Sequence, residues 1–109
     1  MANEQGIYEQ LHEPTRNEQV SVVATSSIVS EARNVLNPRK VIVLRNTSAA
    51  DVDIITINMG FNQATANNGI VLKRNEAFTD SSETGYNAYQ GGITAICATA
   101  NGLLSIFER

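Results

Sequence analysis

The chain has no tryptophan, one cysteine, one histidine and two prolines, and aromatic residues make up only 6% of its 109 residues. The single cysteine, Cys97, excludes an intramolecular disulfide. The single histidine, His12, excludes a cluster of histidine metal ligands within one chain. Because aromatic side chains are scarce, a core must be built mainly from isoleucine, valine, leucine and alanine, which suit tightly stacked sheets.

Basic charge is also scarce, since the formal net charge is -3. Such a chain offers no basic field for phosphate contacts, so we expect no nucleic-acid partner. No apolar run approaches the roughly 20 residues needed to span a bilayer, and residues 1–6 lack the basic start and apolar core of a signal peptide. We therefore expect a protein folded in the cytoplasm, with no membrane partner and no cofactor.

Residues 1–19 are predicted to form an N-terminal arm. They are rich in glutamate, glutamine and asparagine, are interrupted by Pro14, and have only Ile7, Tyr8 and Leu11 as apolar anchors. The spacing of Ile7 and Leu11 suits a short amphipathic helical turn, but an isolated segment this short is marginal in water. The arm should become ordered only by docking onto another surface, and a mobile tail is the alternative.

Residues 20–109 are predicted to form one all-β domain, a small antiparallel β-sandwich or jelly-roll-like barrel. Strand patterns are separated by turn signals about every 8 to 12 residues, which is typical of these folds. They cover residues 20–30 as one strand bent near Ser26, then residues 39–46, 51–59, 70–73 and 76–79, and two segments after Gly92. The apolar run in residues 39–46 predicts a central strand covered on both faces.

The last two strands are predicted to form a hairpin. Asn101-Gly102 lies between them, and this dipeptide favours a two-residue type I′ turn because both central residues need positive φ. The resulting register places Ile96 opposite Phe107. We also expect both Ile96 and Ile106 to lie between the sheets.

Few residues suggest catalysis or metal binding. Asp51 and Asp53 are two residues apart, so on a strand they would share a face and could form an acid–base pair or half of a calcium site. The ordinary interpretation is the solvated start of a strand. Cys97 lies between apolar residues and should be a small buried hydrophobe. General acids and bases are not clustered in the sequence, and we expect no enzymatic activity.

A polar and aromatic segment offers one candidate binding loop. Asp80 and Glu83 lie close to Tyr86 and Tyr89, a mixture similar to the lining of a sugar-binding groove. Packing of the tyrosines at a subunit interface is the alternative, since tyrosine is enriched there as well.

Five segments of residues 39–109 together resemble small β-sandwich structural proteins of tailed-bacteriophage virions. The segments are Val41-Ile-Val-Leu-Arg-Asn-Thr-Ser, Ile54-Ile-Thr-Ile-Asn-Met-Gly, Gly69-Ile-Val-Leu-Lys-Arg-Asn-Glu, Gly92-Ile-Thr-Ala-Ile-Cys and Gly102-Leu-Leu-Ser-Ile-Phe-Glu. The family has a Pro-Gly-Glu turn where this chain has Arg74-Asn75-Glu76. Members of such families include capsid decoration or cement proteins and components of fibres.

The resemblance implies a virion protein that is made in the host cytoplasm and placed on the capsid surface. As a decoration protein it would bind the major capsid protein across capsomers as a homo-oligomer, a dimer or trimer on a symmetry axis. Its arm would dock through Ile7, Tyr8 and Leu11, with Arg16 among the polar contacts. The alternative is a carbohydrate-binding or fibre-associated module for host attachment that uses the tyrosine-containing loop.

Overall fold

The computed structural model describes residues 15–60, 63–82 and 88–109, and these residues form eight strands in two four-stranded sheets. The expected all-β sandwich is confirmed. The strands are β1 (Arg16–Val22), β2 (Ser27–Ser30), β3 (Val41–Asn46), β4 (Ile55–Met59), β5 (Ile70–Leu72), β6 (Ala77–Ser81), β7 (Ile93–Cys97) and β8 (Gly102–Glu108).

The strand order is that of a jelly roll. One sheet has the order β1-β8-β3-β6 and the other β2-β7-β4-β5, with antiparallel pairing throughout. Only the connection from β4 to β5 stays within a sheet, and every other connection crosses to the facing sheet. Two facing four-stranded sheets connected in this way define the jelly-roll form of the sandwich.

The connections divide between the two ends of the sandwich. Arg16 pairs with Glu108, while Ser30 and Met59 both pair with Ile93. The start of β1, the end of β8 and the β2–β3, β4–β5 and β6–β7 connections therefore share one end, which we call the groove end. The other four connections lie at the opposite end.

The core fills the space between the sheets with aliphatic side chains and one cysteine. In β8, Leu104 and Ile106 are fully buried and alternate with half-buried residues. Cys97 is buried as expected. In β3, however, Ile42 and Leu44 are buried whereas Arg45 is exposed, so the prediction that this strand is covered on both faces is wrong. The core comprises Val22, Val29, Ile42, Leu44, Ile55, Ile57, Leu72, Ile93, Ala95, Cys97, Leu104 and Ile106.

The predicted terminal hairpin is wrong. Strand β7 pairs with β2 and β4, while β8 pairs with β1 and β3 in the facing sheet. The chain must cross about 10 Å between stacked sheets at this point, so Asn101 belongs to a crossing and Gly102 is the first residue of β8. Ile106 lies in the core as expected, but Ile96 is only half-buried.

The N-terminal boundary also differs from the prediction. Residues 20–30 form parts of two strands in different sheets, and β1 already begins at Arg16. Residues 16–19, which the sequence placed in the arm, therefore belong to the sandwich. Ile7, Tyr8 and Leu11 lie outside the described residues.

The different burial of Ile96 and Ile106 gives a direct test. Ile106→Ala should lower the free energy of unfolding by about 2–5 kcal/mol, because it opens a cavity between the sheets. Ile96→Ala should cost about 1 kcal/mol or less, because its side chain is partly solvated already. Urea denaturation measures both values. Equal losses would contradict the different burial of the two side chains.

The start of β8 tolerates no side chain. A Cβ atom at Gly102 would lie 2.6 Å from the Val22 carbonyl oxygen and 2.7 Å from the Cys97 Sγ atom. Gly102→Ala should therefore destabilise the fold by about 1–3 kcal/mol through overpacking. The matched control is Gly92→Ala, whose Cβ would meet nothing nearer than 3.8 Å. A melting temperature as high for Gly102→Ala as for the control would contradict the close crossing of β7 into β8.

Candidate functional site

A buried arginine organises the groove end. Arg39 lies just before β3 with a side chain that is 0% exposed. Its Nε donates to Glu108 Oε2 at 2.7 Å, and its Nη2 donates to Ser30 Oγ at 2.8 Å. The remaining three N–H groups donate to the main-chain carbonyls of Glu31, Tyr89 and Gly91. All five guanidinium donors are thus satisfied inside the protein.

Glu108 is the anionic centre of this network. As the last residue of β8, it is in phase with the buried Leu104 and Ile106, so the strand directs its side chain inward. Its Oε2 also accepts a hydrogen bond from Ser30 Oγ at 2.5 Å. Since Ser30 ends β2 in the facing sheet, the carboxylate joins both sheets at this end.

Two further arginines approach the same carboxylate. Arg16 Nη1 and Arg33 Nη2 lie 3.6 and 3.8 Å from Glu108 Oε1. We call Arg16, Arg33 and Arg39 the arginine cluster. Burial acts to raise the pKa of Glu108, but the hydrogen bonds from Ser30 and Arg39 and the charges of Arg39 and Arg33 hold that pKa below its ordinary value. The carboxylate is therefore ionised at neutral pH.

A groove of about 620 Å³ opens beside the arginine cluster. Its charged and apolar lining residues are Arg33, Arg39, Lys40, Val35, Pro38 and Ala88. Arg33 also lines a second cleft of about 260 Å³, together with Arg16, Ile28, Glu31 and Glu108. The charged residues of the groove itself are all basic among those that the structure describes.

The connection that lines one side of the groove carries two exposed aliphatic side chains. Val35 and Leu36, in the β2–β3 connection, are 92% and 91% exposed. Asn34 braces this connection, because its Oδ1 accepts hydrogen bonds from the N–H groups of Leu36 and Asn37 at 2.9 and 3.1 Å. The two side chains are therefore presented on a turn that is held in place locally.

Gln90 fastens the β6–β7 connection to the same wall. Its side-chain oxygen accepts from the Arg39 N–H at 2.5 Å, and its Nε2 donates to the Arg39 carbonyl oxygen at 2.6 Å. The Arg33 N–H donates to the Gln90 carbonyl oxygen at 2.7 Å. The walls of the groove are thus joined to each other through main-chain groups.

The predicted sugar-binding loop is only partly within the described residues. The Tyr89 N–H donates to Asp80 Oδ2 at 2.8 Å, so the structure does bring these two residues together. The Tyr89 hydroxyl donates to the Gly92 carbonyl oxygen at 3.0 Å, and the ring packs against the core. Glu83 and Tyr86 lie outside the described residues.

The two aspartates that could have shared a strand face are separated. Asp51 is exposed and pairs with Arg74 at 3.2 Å, whereas Asp53 is buried and accepts a hydrogen bond from Thr99 Oγ1. Both precede β4, in a turn where the alternation of a strand does not apply. The part of the chain that the structure describes contains no group of three or more histidine, cysteine, aspartate or glutamate residues able to hold a metal ion.

Sequence reasoning missed the network of Ser30, Arg39 and Glu108. One signal was present, because the alternation of β8 gives Glu108 the same phase as Leu104 and Ile106. An inward-facing carboxylate requires a cation or several donors. The sequence did not indicate which cation, since Arg39 is 69 residues away along the chain.

No family model, curated protein or solved structure matches this chain. No helix among residues 15–60, 63–82 and 88–109 has the length and hydrophobicity to cross a membrane.

Removing the charge of Glu108 should be costly. Glu108→Gln keeps the size of the side chain but leaves the buried Arg39 without its counter-charge, so we expect a loss of about 3–5 kcal/mol in the free energy of unfolding. The control is Asp51→Asn, which breaks an exposed pair and should cost less than about 1 kcal/mol. Chemical denaturation at neutral pH compares the two. Similar small losses would show that Arg39 does not depend on this carboxylate.

The stabilisation contributed by Glu108 should depend on pH. Because the pKa of Glu108 is lowered in the folded protein, its stabilisation is complete above the ordinary glutamate pKa of about 4.3 and is lost as the pH falls toward the lower folded value. The difference in stability between wild type and Glu108→Gln should therefore be constant near neutral pH and shrink in acid. A difference that grows below about pH 4.3 would contradict the direction of the shift.

Proposed function

We propose that this chain is a bacteriophage capsid decoration or cement protein, with the groove end facing the major capsid protein. The observation that carries the proposal is the pair of exposed aliphatic residues, Val35 and Leu36, on a braced turn beside the groove. The jelly-roll fold is compatible with this role, since it occurs in viral capsid domains, but it also occurs in lectins and cupins and does not select among them.

Exposed aliphatic side chains beside basic groups suit a protein surface as partner. Burying apolar surface contributes about 25 cal/mol per Å², and a turn that is already braced loses little conformational entropy on binding. Apolar contacts surrounded by a polar rim are the usual anatomy of a protein–protein interface. The charged lining of Arg33 and Lys40 suits acidic groups on the partner.

The proposed arm enters at the same end. Since β1 begins at Arg16 in this end of the sandwich, residues 1–14 precede the domain at the groove end. Arm and groove can therefore engage one neighbouring surface. Ordering the arm costs entropy but covers more surface, and a homo-oligomer on a two-fold or three-fold axis would add its weak contacts through avidity.

Binding to capsids tests the proposal. The ligand is the expanded empty capsid assembled from the major capsid protein encoded in the same genome as this chain, and co-sedimentation measures binding. Val35→Ser/Leu36→Ser should weaken binding at least tenfold, which corresponds to about 1.4 kcal/mol. The matched control is Val52→Ser, which changes a 65% exposed valine at the opposite end and should bind like wild type.

Two outcomes would overturn the proposal. In the first, wild type does not sediment with the capsid. In the second, the double variant binds as tightly as the Val52→Ser control. A wild-type protein that ignores capsids but binds defined sugars on a glycan array would favour the host-attachment alternative.

A further inference from the structure

The N-terminal segment, residues 1–14, precedes β1 at the same end of the sandwich as the groove. Arg16, the first residue of β1, and Arg33, which lines the groove, both approach the Oε1 atom of Glu108, at 3.6 and 3.8 Å. Residues 1–14 are therefore attached at the groove end, beside the second cleft, which shares Arg33 with the groove. A chain of fourteen residues can extend to about 46–50 Å, more than enough to follow a groove of about 620 Å³.

The charges of the segment and the groove are complementary. Residues 1–14 contain three glutamates, Glu4, Glu9 and Glu13, and no lysine or arginine. The described charged residues of the groove lining are basic. In the arginine cluster, Arg39 is buried and paired with Glu108, and Arg16 is paired with Glu18. Arg33 and Lys40 therefore supply the basic surface of the groove. The adjoining cleft adds Glu31, which lies outside the groove lining. An acidic peptide is therefore favoured over a basic one.

The apolar residues match as well. Ile7, Tyr8 and Leu11 lie among the glutamates of the segment, and the groove offers apolar contacts at Val35, Pro38 and Ala88. Tethering also favours this occupant, because attachment by a short linker gives an effective concentration of the order of millimolar. A weak site is therefore filled by its own chain before a dilute partner reaches it.

We propose that residues 1–14 of the same chain occupy the groove in the free protein, with Ile7 and Leu11 over its apolar lining and the glutamates toward Arg33. The segment then acts as an intramolecular competitor for any partner that binds the groove. This inference concerns the isolated protein and does not depend on the capsid role.

Paramagnetic broadening in NMR spectra tests the proposal. A nitroxide is attached at Gln10→Cys in a Cys97→Ala background, and the native Cys97 background, whose thiol is buried, serves as a second variant. Amide signals of Asn34, Val35, Ala88 and Gln90 should broaden strongly. Signals from the opposite end of the sandwich, such as those of Val52 and Arg74, should change at least fivefold less.

Two sets of substitutions test the two kinds of contact. Glu4→Gln/Glu9→Gln/Glu13→Gln removes the charges of the segment, and Ile7→Ser/Leu11→Ser removes its aliphatic anchors. Each should reduce the broadening at the groove severalfold, and added salt should act like the first set. Broadening that is equal at both ends, or unchanged in both variants, would overturn the proposal.

A mixing experiment separates the same chain from a second copy. Nitroxide-labelled protein without ¹⁵N is mixed with ¹⁵N protein that carries no label. Occupation by the same chain predicts no broadening at the groove of the ¹⁵N protein. Strong broadening in the mixture would assign the segment to a neighbouring copy and would overturn the proposal. Neither result depends on capsid binding, so the capsid role can fail or hold separately.

Discussion

The groove end depends on the complete hydrogen bonding of one buried cation. A guanidinium group inside a small sandwich is costly unless each of its donors finds an acceptor and its charge finds a counter-charge. Arg39 meets this condition through Glu108, Ser30 and three main-chain carbonyls. Because those carbonyls belong to the β2–β3 and β6–β7 connections, the requirement of one side chain fixes the course of two loops. The groove is the space that remains between loops held in this way.

The opposite end is closed by a neutral counterpart. Asn46, fully buried at the end of β3, donates from Nδ2 to the carbonyl oxygens of Asp53 and Leu72 at 2.8 and 2.9 Å. Its Oδ1 accepts from the Ser48 N–H at 3.0 Å. One buried polar side chain thus hydrogen-bonds to the connections at each end: an amide at this end, and a guanidinium with its counter-charge Glu108 at the groove end.

The features that depend on local alternation could be predicted from the sequence. The points where the chain crosses from one sheet to the other could not. Ile106 lies in the core because period-two alternation survives in any sheet. Asn101-Gly102 favours a hairpin, but the turn preference of a dipeptide does not determine whether the next strand stays in the same sheet. The same limit explains the site: the phase of Glu108 indicates an inward carboxylate, whereas its partner Arg39 is determined only once β8 pairs with β3. The residues at Val35 and Leu36 were visible as apolar, yet their exposure follows from the loop geometry.

A groove with braced walls has a consequence for binding. The loops are held by buried hydrogen bonds, and breaking them would leave donors of the buried Arg39 without acceptors. The walls of the groove therefore keep one conformation when the occupant changes. Competition at this site is therefore between occupants for one preformed shape. An intramolecular acidic segment would lower the apparent affinity of an external partner by the fraction of time that it fills the groove, without altering the intrinsic contacts of that partner. Charge on the segment, rather than any change in the sandwich, would then set how readily the groove end becomes available.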